Sequence, residues 1–185
     1  MYIMKLNPKL RLLLIMLTIA ISVFSMGIQE KNSLETQLLE TWNIHNKMNL
    51  FLLEETPSEY LKDSSSSGGR NVGEQFAHIH ENRIAWIKEI APEEAKDLTP
   101  LTQNAKDITK EQLHSELIKS GVAINKILSQ SFAKQKLKNF YSHPAAFFGY
   151  LISHESHHRG QIILSLKQAG HPLSEKVSYG LWDWN

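Results

Sequence analysis

From Asn32 onward the apolar residues return every three or four positions, the period of a helix face, and no β-branched run bounded by hairpin turns interrupts them. The pattern predicts an all-α domain of four long helices. The first takes Asn32 as its cap with Glu35 at the third helical position and aligns Leu34, Leu38, Trp42, His45, Asn49 and Leu52 in one stripe, ending near Glu55 before Pro57. The second opens at Asn71 with Glu74 three residues on. It runs through Phe76, His78, Ile79, Arg83, Trp86, Ile87 and Ile90 to a stop before Pro92.

After a connection over residues 91–108, the third helix starts at Thr109 with Gln112 as its box partner and carries Leu113, Leu117, Ile124, Ile127 and Leu128. A basic link, Lys134 to Lys138, leads to the fourth. That helix has Pro144 in its first turn and continues through Phe147, Leu151, His154, His158, Ile162 and Ser165 to Gly170, with Pro172 behind it. Four helices of this length suit a four-helix bundle. Ser64 to Gly69 reads as a solvent loop, and the closing Tyr179-Gly180-Leu181-Trp182-Asp183-Trp184 is aromatic enough to be expected folded back over the bundle. Gly160, inside the fourth helix, is expected to admit a close neighbour, because glycine there costs about 1 kcal/mol relative to alanine.

Composition narrows the chemistry. With 185 residues the chain has room for one ordinary domain, and with no cysteine it has no disulfide, thiolate ligand or cysteine nucleophile. Any transition-metal site must use imidazole and carboxylate, and the chain has 9 histidines. Three of the 20 basic side chains (Lys5, Lys9 and Arg11) and none of the 19 acidic ones lie in the first 27 residues. The remainder is therefore slightly acidic, which argues against a nucleic-acid partner.

The first 27 residues run from that basic lead into an apolar stretch, Leu12 to Phe24, broken only by Thr18 and Ser22, and reach small residues at Ser25 and Gly27. This predicts export with cleavage, or a short anchor, with the membrane met only through this segment. A start at Met26 would leave a cytoplasmic protein instead. The expected division is a leader, 1–27, and one domain, 28–185.

The densest chemistry lies in His154-Glu155-Ser156-His157-His158-Arg159-Gly160-Gln161. Residues four apart on a helix differ by about 40° in direction, so His154 and His158 can address one ion. His157 lies about 100° from His158 and is expected beside the site or on the surface. A further ligand must come from a facing helix, where His78 and His80 compete; two residues apart, they lie about 200° around the helix and cannot both face the core. His78 shares a face with Asn82 and Ala85, read as the inward one, whereas His80 precedes Ile84 by four and could pack instead. Spacing alone leaves that contest open. His45, on the stripe of Trp42 and Asn49, either lines the same cavity or is an ordinary polar edge residue.

His154 to His158 also spells H-E-x-x-H, the metalloprotease pattern with glutamate as general base. The third histidine of the longer form would fall at Leu164, so Glu155 is expected instead as a surface carboxylate or a group supporting the site.

These residues resemble the DinB/YfiT family of bacterial four-helix-bundle proteins with a three-histidine metal site. The carriers are Val72-Gly73-Glu74-Gln75-Phe76-Ala77-His78-Ile79-His80 with Arg83 and Trp86, then His154-x-x-x-His158-Arg159-Gly160-Gln161, and the aromatic close from Tyr179 to Trp184. The resemblance spans residues 32 to 185 and implies His78, His154 and His158 as ligands of a divalent transition metal, zinc or nickel foremost. It also implies a thiol transferase or metal-dependent hydrolase, with a small-molecule substrate and a low-molecular-weight thiol as partner.

Three neutral histidines leave an open coordination position, as catalytic zinc sites do. The expectation is an enzyme that activates a thiol or water against a small electrophile, with His45 or Glu155 relaying protons; the alternatives are a non-catalytic metal-binding bundle and, further off, the protease. A homodimer is the expected assembly beyond the monomer.

Overall fold

The structure is a computed structural model that describes residues 33–101, 107–140 and 143–184, together with 7, 9, 12 and 14–17. Asn32 and most of the 1–27 leader lie outside the described residues. The chain divides into two units, 1–38 and 39–185, and the bundle described below belongs to the second.

Four long helices follow one another: α1 (Leu34–Glu55), α2 (Val72–Ile90), α3 (Lys110–Lys134) and α4 (Pro144–Gln168), with a short α5 (Glu175–Gly180) behind them. Among the described residues there is no strand, and no helix is long and apolar enough to cross a membrane. Local capping chemistry sets most of the ends. Asn71 and Glu74 exchange side-chain and backbone hydrogen bonds at 2.8 and 2.9 Å, and Thr109 and Gln112 do so at 3.2 and 2.9 Å. At α1 the described cap is Ser33, whose hydroxyl accepts the Thr36 amide at 3.1 Å.

Helix α4 stops two residues short of the expected Gly170. That glycine sits at φ 92°, and the amides of Gly170 and His171 turn back to the carbonyls of Lys167 and Leu166. This is the left-handed exit that glycine makes at least cost.

Along each helix the buried residues fall into two apolar groups with a polar belt between them. One cluster gathers Leu52, Phe76, Ile79, Leu113, Leu117, Ile162 and Leu166. The other gathers Trp42, Ile84, Ile87, Ile124, Leu128, Phe147 and Leu151. Between them in sequence lie His45 and Asn49 on α1, His80 and Arg83 on α2, Ser120 on α3, and Glu155 and Arg159 on α4, all buried. Leu34, counted in the α1 stripe from the sequence, is 70% exposed.

Two packing expectations are corrected. The tail does return to the bundle, but through Val177 and Leu181; Tyr179 is 76% and Trp182 70% exposed. Gly180 is the point of close approach there, since a Cβ would stand 2.7 Å from the Phe51 ring. Gly160, by contrast, has open space where its Cβ would be, and a close approach within the long helices is made instead at Gly121. There a Cβ would stand 2.6 Å from the Asn46 amide, and the Gly121 carbonyl accepts Trp42 Nε1 at 3.2 Å.

Gly160→Ala is therefore expected to stabilise the protein by about 0.5–1 kcal/mol, because alanine removes unfolded-state freedom and meets nothing. Thermal melting checks this; a lowered midpoint would show that a neighbour does approach.

Candidate metal centre

Helices α2 and α4 meet along a seam whose layers are readable from the contacts. His158 bonds to Gln75, His154 and His158 face His78, Tyr150 bonds to Asn82, and Phe147 meets Trp86. Numbers rise on one helix as they fall on the other, so the two run antiparallel. On both helices the seam positions step by three or four, which keeps each set on one helical face.

The seam brings His78, His154 and His158 together. One nitrogen from each lies within 4.8 Å of the others. His154 and His158 are one turn apart, and their Nε2 atoms stand 3.2 Å from each other. A tetrahedral ion with bonds of 2.0–2.1 Å separates its ligand nitrogens by about 3.3 Å, so this pair already has the spacing of two ligands. The cluster is neutral. Burial pushes His158 down to about 3, with the neighbouring His154 and His78 adding to the effect. Burial also lowers His78 and His154, helped by the Arg70 charge at His78 and by His157 at His154. Neutral imidazole is the form that binds metal, so the donor set fits a divalent ion.

His78 and His154 are only partly buried, so the group opens at the surface. The face assignment made from spacing is reversed for α2. Ala85 is exposed and His78 half-buried, while His80 is fully buried on the core side. His80 Nε2–H donates to the Thr99 carbonyl at 2.9 Å, and Nδ1 accepts from the Ser120 hydroxyl at 3.1 Å. It is thus satisfied without an ion. His157 is exposed, with its ring 5.1 Å from that of His158, outside the three-nitrogen group.

Behind the seam sits the charged belt. Glu155 is 0% exposed, which removes the surface reading of that residue. Arg83 grips it with Nε to Oε1 at 2.8 Å and Nη2 to Oε2 at 2.7 Å. His45 Nε2–H and Asn49 Nδ2 donate to the same Oε2 at 2.9 and 2.6 Å. Arg159 closes the ring, donating to Asn49 Oδ1 and Ser156 Oγ at 2.8 Å each and to His45 Nδ1 at 3.3 Å.

Burial alone would raise the Glu155 carboxyl, but the Arg83 charge and the hydrogen bonds from Arg83 and His45 hold it well below the ordinary carboxylate range. Burial lowers His45 despite Glu155, leaving it a neutral ring with one nitrogen donating and the other accepting. His45 and Glu155 therefore meet each other in the belt. The H-E-x-x-H glutamate has both oxygens occupied by side chains of α1 and α2.

Gln75 and Asn82 had no role assigned to them from the sequence, and Tyr150 was not singled out there. The available signal was their position, at three before and four after His78, and four before His154.

Residues 28–181 match the model of the DinB family. Comparison with curated proteins and with solved structures finds no match.

Glu155→Ala leaves Arg83 and Arg159 buried without their counter-charge and is expected to cost about 3–5 kcal/mol. Glu93→Ala, which removes an exposed pair with Lys96, is expected to cost less than about 0.5 kcal/mol. Urea unfolding of both variants provides the check, and equal midpoints would overturn the role given to the belt.

Proposed function

The chain belongs to the DinB family, and from that premise we propose that it is a metal-dependent enzyme. On this reading His78, His154 and His158 hold a divalent transition metal, zinc or nickel, and the protein activates a thiol or water against a small electrophile. The observation that carries the reading is the group of three neutral imidazoles within 4.8 Å, open on one side. Bound there, a divalent ion lowers the pKa of a coordinated water or thiol and so supplies a nucleophile at neutral pH.

The chain's own residues do the remaining work. Gln75 orients His158 through its bond to Nδ1. The belt keeps α1, α2 and α4 in register and carries its own charges away from the open side. The stacked ring of Tyr150, 5.7 Å from that of His154, and the edge of Trp86 beyond it form an aromatic wall along the seam. A small apolar electrophile would rest against that wall.

His45 and Glu155 are assigned to holding the helices, because their hydrogen bonds are directed at each other and at the two arginines. A low-molecular-weight thiol is the proposed co-substrate, and residues 1–27 the segment that exports or anchors the protein. Two apolar clusters flank the belt, so the fold has a core of its own without a metal. This favours an open catalytic centre over a structural staple.

The test is elemental analysis of the purified protein beside His78→Ala, His154→Ala and His158→Ala. About one equivalent of metal is expected in the parent and little in each variant, as removal of one of three ligands demands. Melting of the metal-free forms is expected to stay close to that of the parent. Full metal content in all three variants would exclude the site. A metal-loaded protein that accelerates no reaction between thiols and electrophiles, and no hydrolysis, would leave the non-catalytic metal-binding bundle.

A further inference from the structure

Helix α1 carries two stripes. The buried one, Trp42, His45, Asn49 and Leu52, belongs to the bundle interior. The other, Ile44, Lys47, Met48 and Phe51, has the i, i+3, i+4, i+7 spacing of a single face and lies about 100° around the helix from the first. The returning tail lies over this second stripe. Gly180 closes on Phe51, where a Cβ would stand 2.7 Å from the ring, and Leu181 beside it is buried. None of these residues is on α2 or α4, the helices that carry the histidine group.

The tail does not fill the space above the stripe. Between them is a cavity of about 580 Å³, within the range of small-molecule sites. Its apolar lining comes from Ile44, Met48, Phe51, Leu181 and Trp184. Ile44 belongs to neither apolar cluster of the core, and Trp184 is 51% exposed. The fold thus leaves apolar surface wet inside a concave site, and a ligand with an apolar body gains by covering it.

Charge narrows the ligand further. Lys47 of α1 and Lys176 of α5 both line the cavity, are exposed, and make no hydrogen bond or ion pair among the described residues. A lysine can lay its four-carbon stem along an apolar wall and keep its ammonium at the water's edge. Asp183 is the one carboxylate in the lining, and it is not free. Two lysines against one aspartate leave a single positive charge beside the apolar surface. The lining has no arginine, the side chain whose planar fork suits a phosphate. A monoanion with an apolar body matches this set better than a phosphate dianion does.

We propose that the cavity between α1 and the C-terminal tail is a second ligand site, which takes an aliphatic carboxylate of the fatty-acid class. The chain of the ligand lies against Met48, Phe51, Leu181 and Trp184, and its carboxylate pairs with the ammonium groups of Lys47 and Lys176. The site is separate from the histidine group and does not depend on the metal reading.

Calorimetric titration of the full chain with decanoate, below its micelle concentration, tests this on the parent, Lys47→Gln, Lys176→Gln and Ile44→Trp. Saturable binding of about one equivalent is expected in the parent, accompanied by a change in tryptophan emission that Trp184→Phe removes. Each glutamine variant is expected to bind about 2- to 5-fold more weakly, the range of an exposed ion pair, and added salt is expected to weaken the parent in the same direction. The neutral analogue 1-decanol is expected to bind about as weakly as the double glutamine variant. Ile44→Trp, which fills the cavity from outside both core clusters, is expected to abolish binding with its helical circular dichroism kept; were that variant unfolded, the lysine variants and decanol would decide. No saturable binding of decanoate overturns the proposal. So does binding that Ile44→Trp leaves intact, or binding that neither glutamine variant nor the loss of the carboxylate weakens. A parent dimer that Ile44→Trp splits would show that a second copy covers this face, and a change in tryptophan emission with phosphatidylglycerol vesicles but not with decanoate would assign the face to a membrane surface; either result overturns the proposal.

Discussion

The ion pair between Arg83 and Glu155 is the constraint on which the site depends. It joins α2 to α4 at one height, with two parallel bonds of 2.8 and 2.7 Å that tolerate neither a slide nor a rotation of one helix against the other. His154 immediately precedes Glu155, and His78 lies five residues before Arg83, so the register that satisfies the charges also brings the imidazoles into line. A buried carboxylate and two buried guanidinium groups are expensive, and a well-packed apolar layer could replace them at no loss of stability. What such a belt supplies here is a single allowed alignment between two otherwise slippery apolar clusters.

The string from His154 to His158 serves two faces of one helix. His154 and His158 turn toward the seam and the surface, while Glu155, about 100° around, turns into the bundle. The same residues that spell a protease motif are thereby divided between a neutral imidazole group and a charged interior ring. In a metalloprotease the glutamate must reach a water on the metal. Here its oxygens are taken by Arg83, His45 and Asn49. Arg159, which follows His158, continues the inward face through Asn49 and Ser156. Helix α4 is thus a partition with the imidazole group on one side and a structural ion network on the other.

Local features were the most legible in the sequence. The boxes at Asn71 and Thr109 and the first-turn Pro144 involve residues within one turn of each other, so no tertiary contact is needed to place them. Arg83 on an apolar stripe was a visible anomaly, and it proves to be a buried charge with a partner. The inward face assigned to α2 and Gly160 were misleading for a common reason. Which side of α2 meets α3 and which meets α4, and whether anything approaches Gly160, depends on neighbours distant in sequence. The aromatic tail misled differently: Tyr179 and Trp182 have large apolar rings, but the surface available to a six-residue helix is covered by Val177 and Leu181.

By itself, then, the sequence determined four helices, the capping boxes of the second and third, and the i, i+4 pairing of His154 with His158, because these follow from the 3.6-residue period and short-range hydrogen bonds. It also carried the family pattern of histidines, without the geometry. Only the tertiary structure decided that His78 stands within reach of that pair while His80 is buried on the other side, that Glu155 is enclosed by charges, and that Gln75 and Asn82 bond to α4 along the seam. Each of these is a matter of register between α2 and α4, and register is set by contacts some 70 residues apart in the chain, such as Arg83 with Glu155.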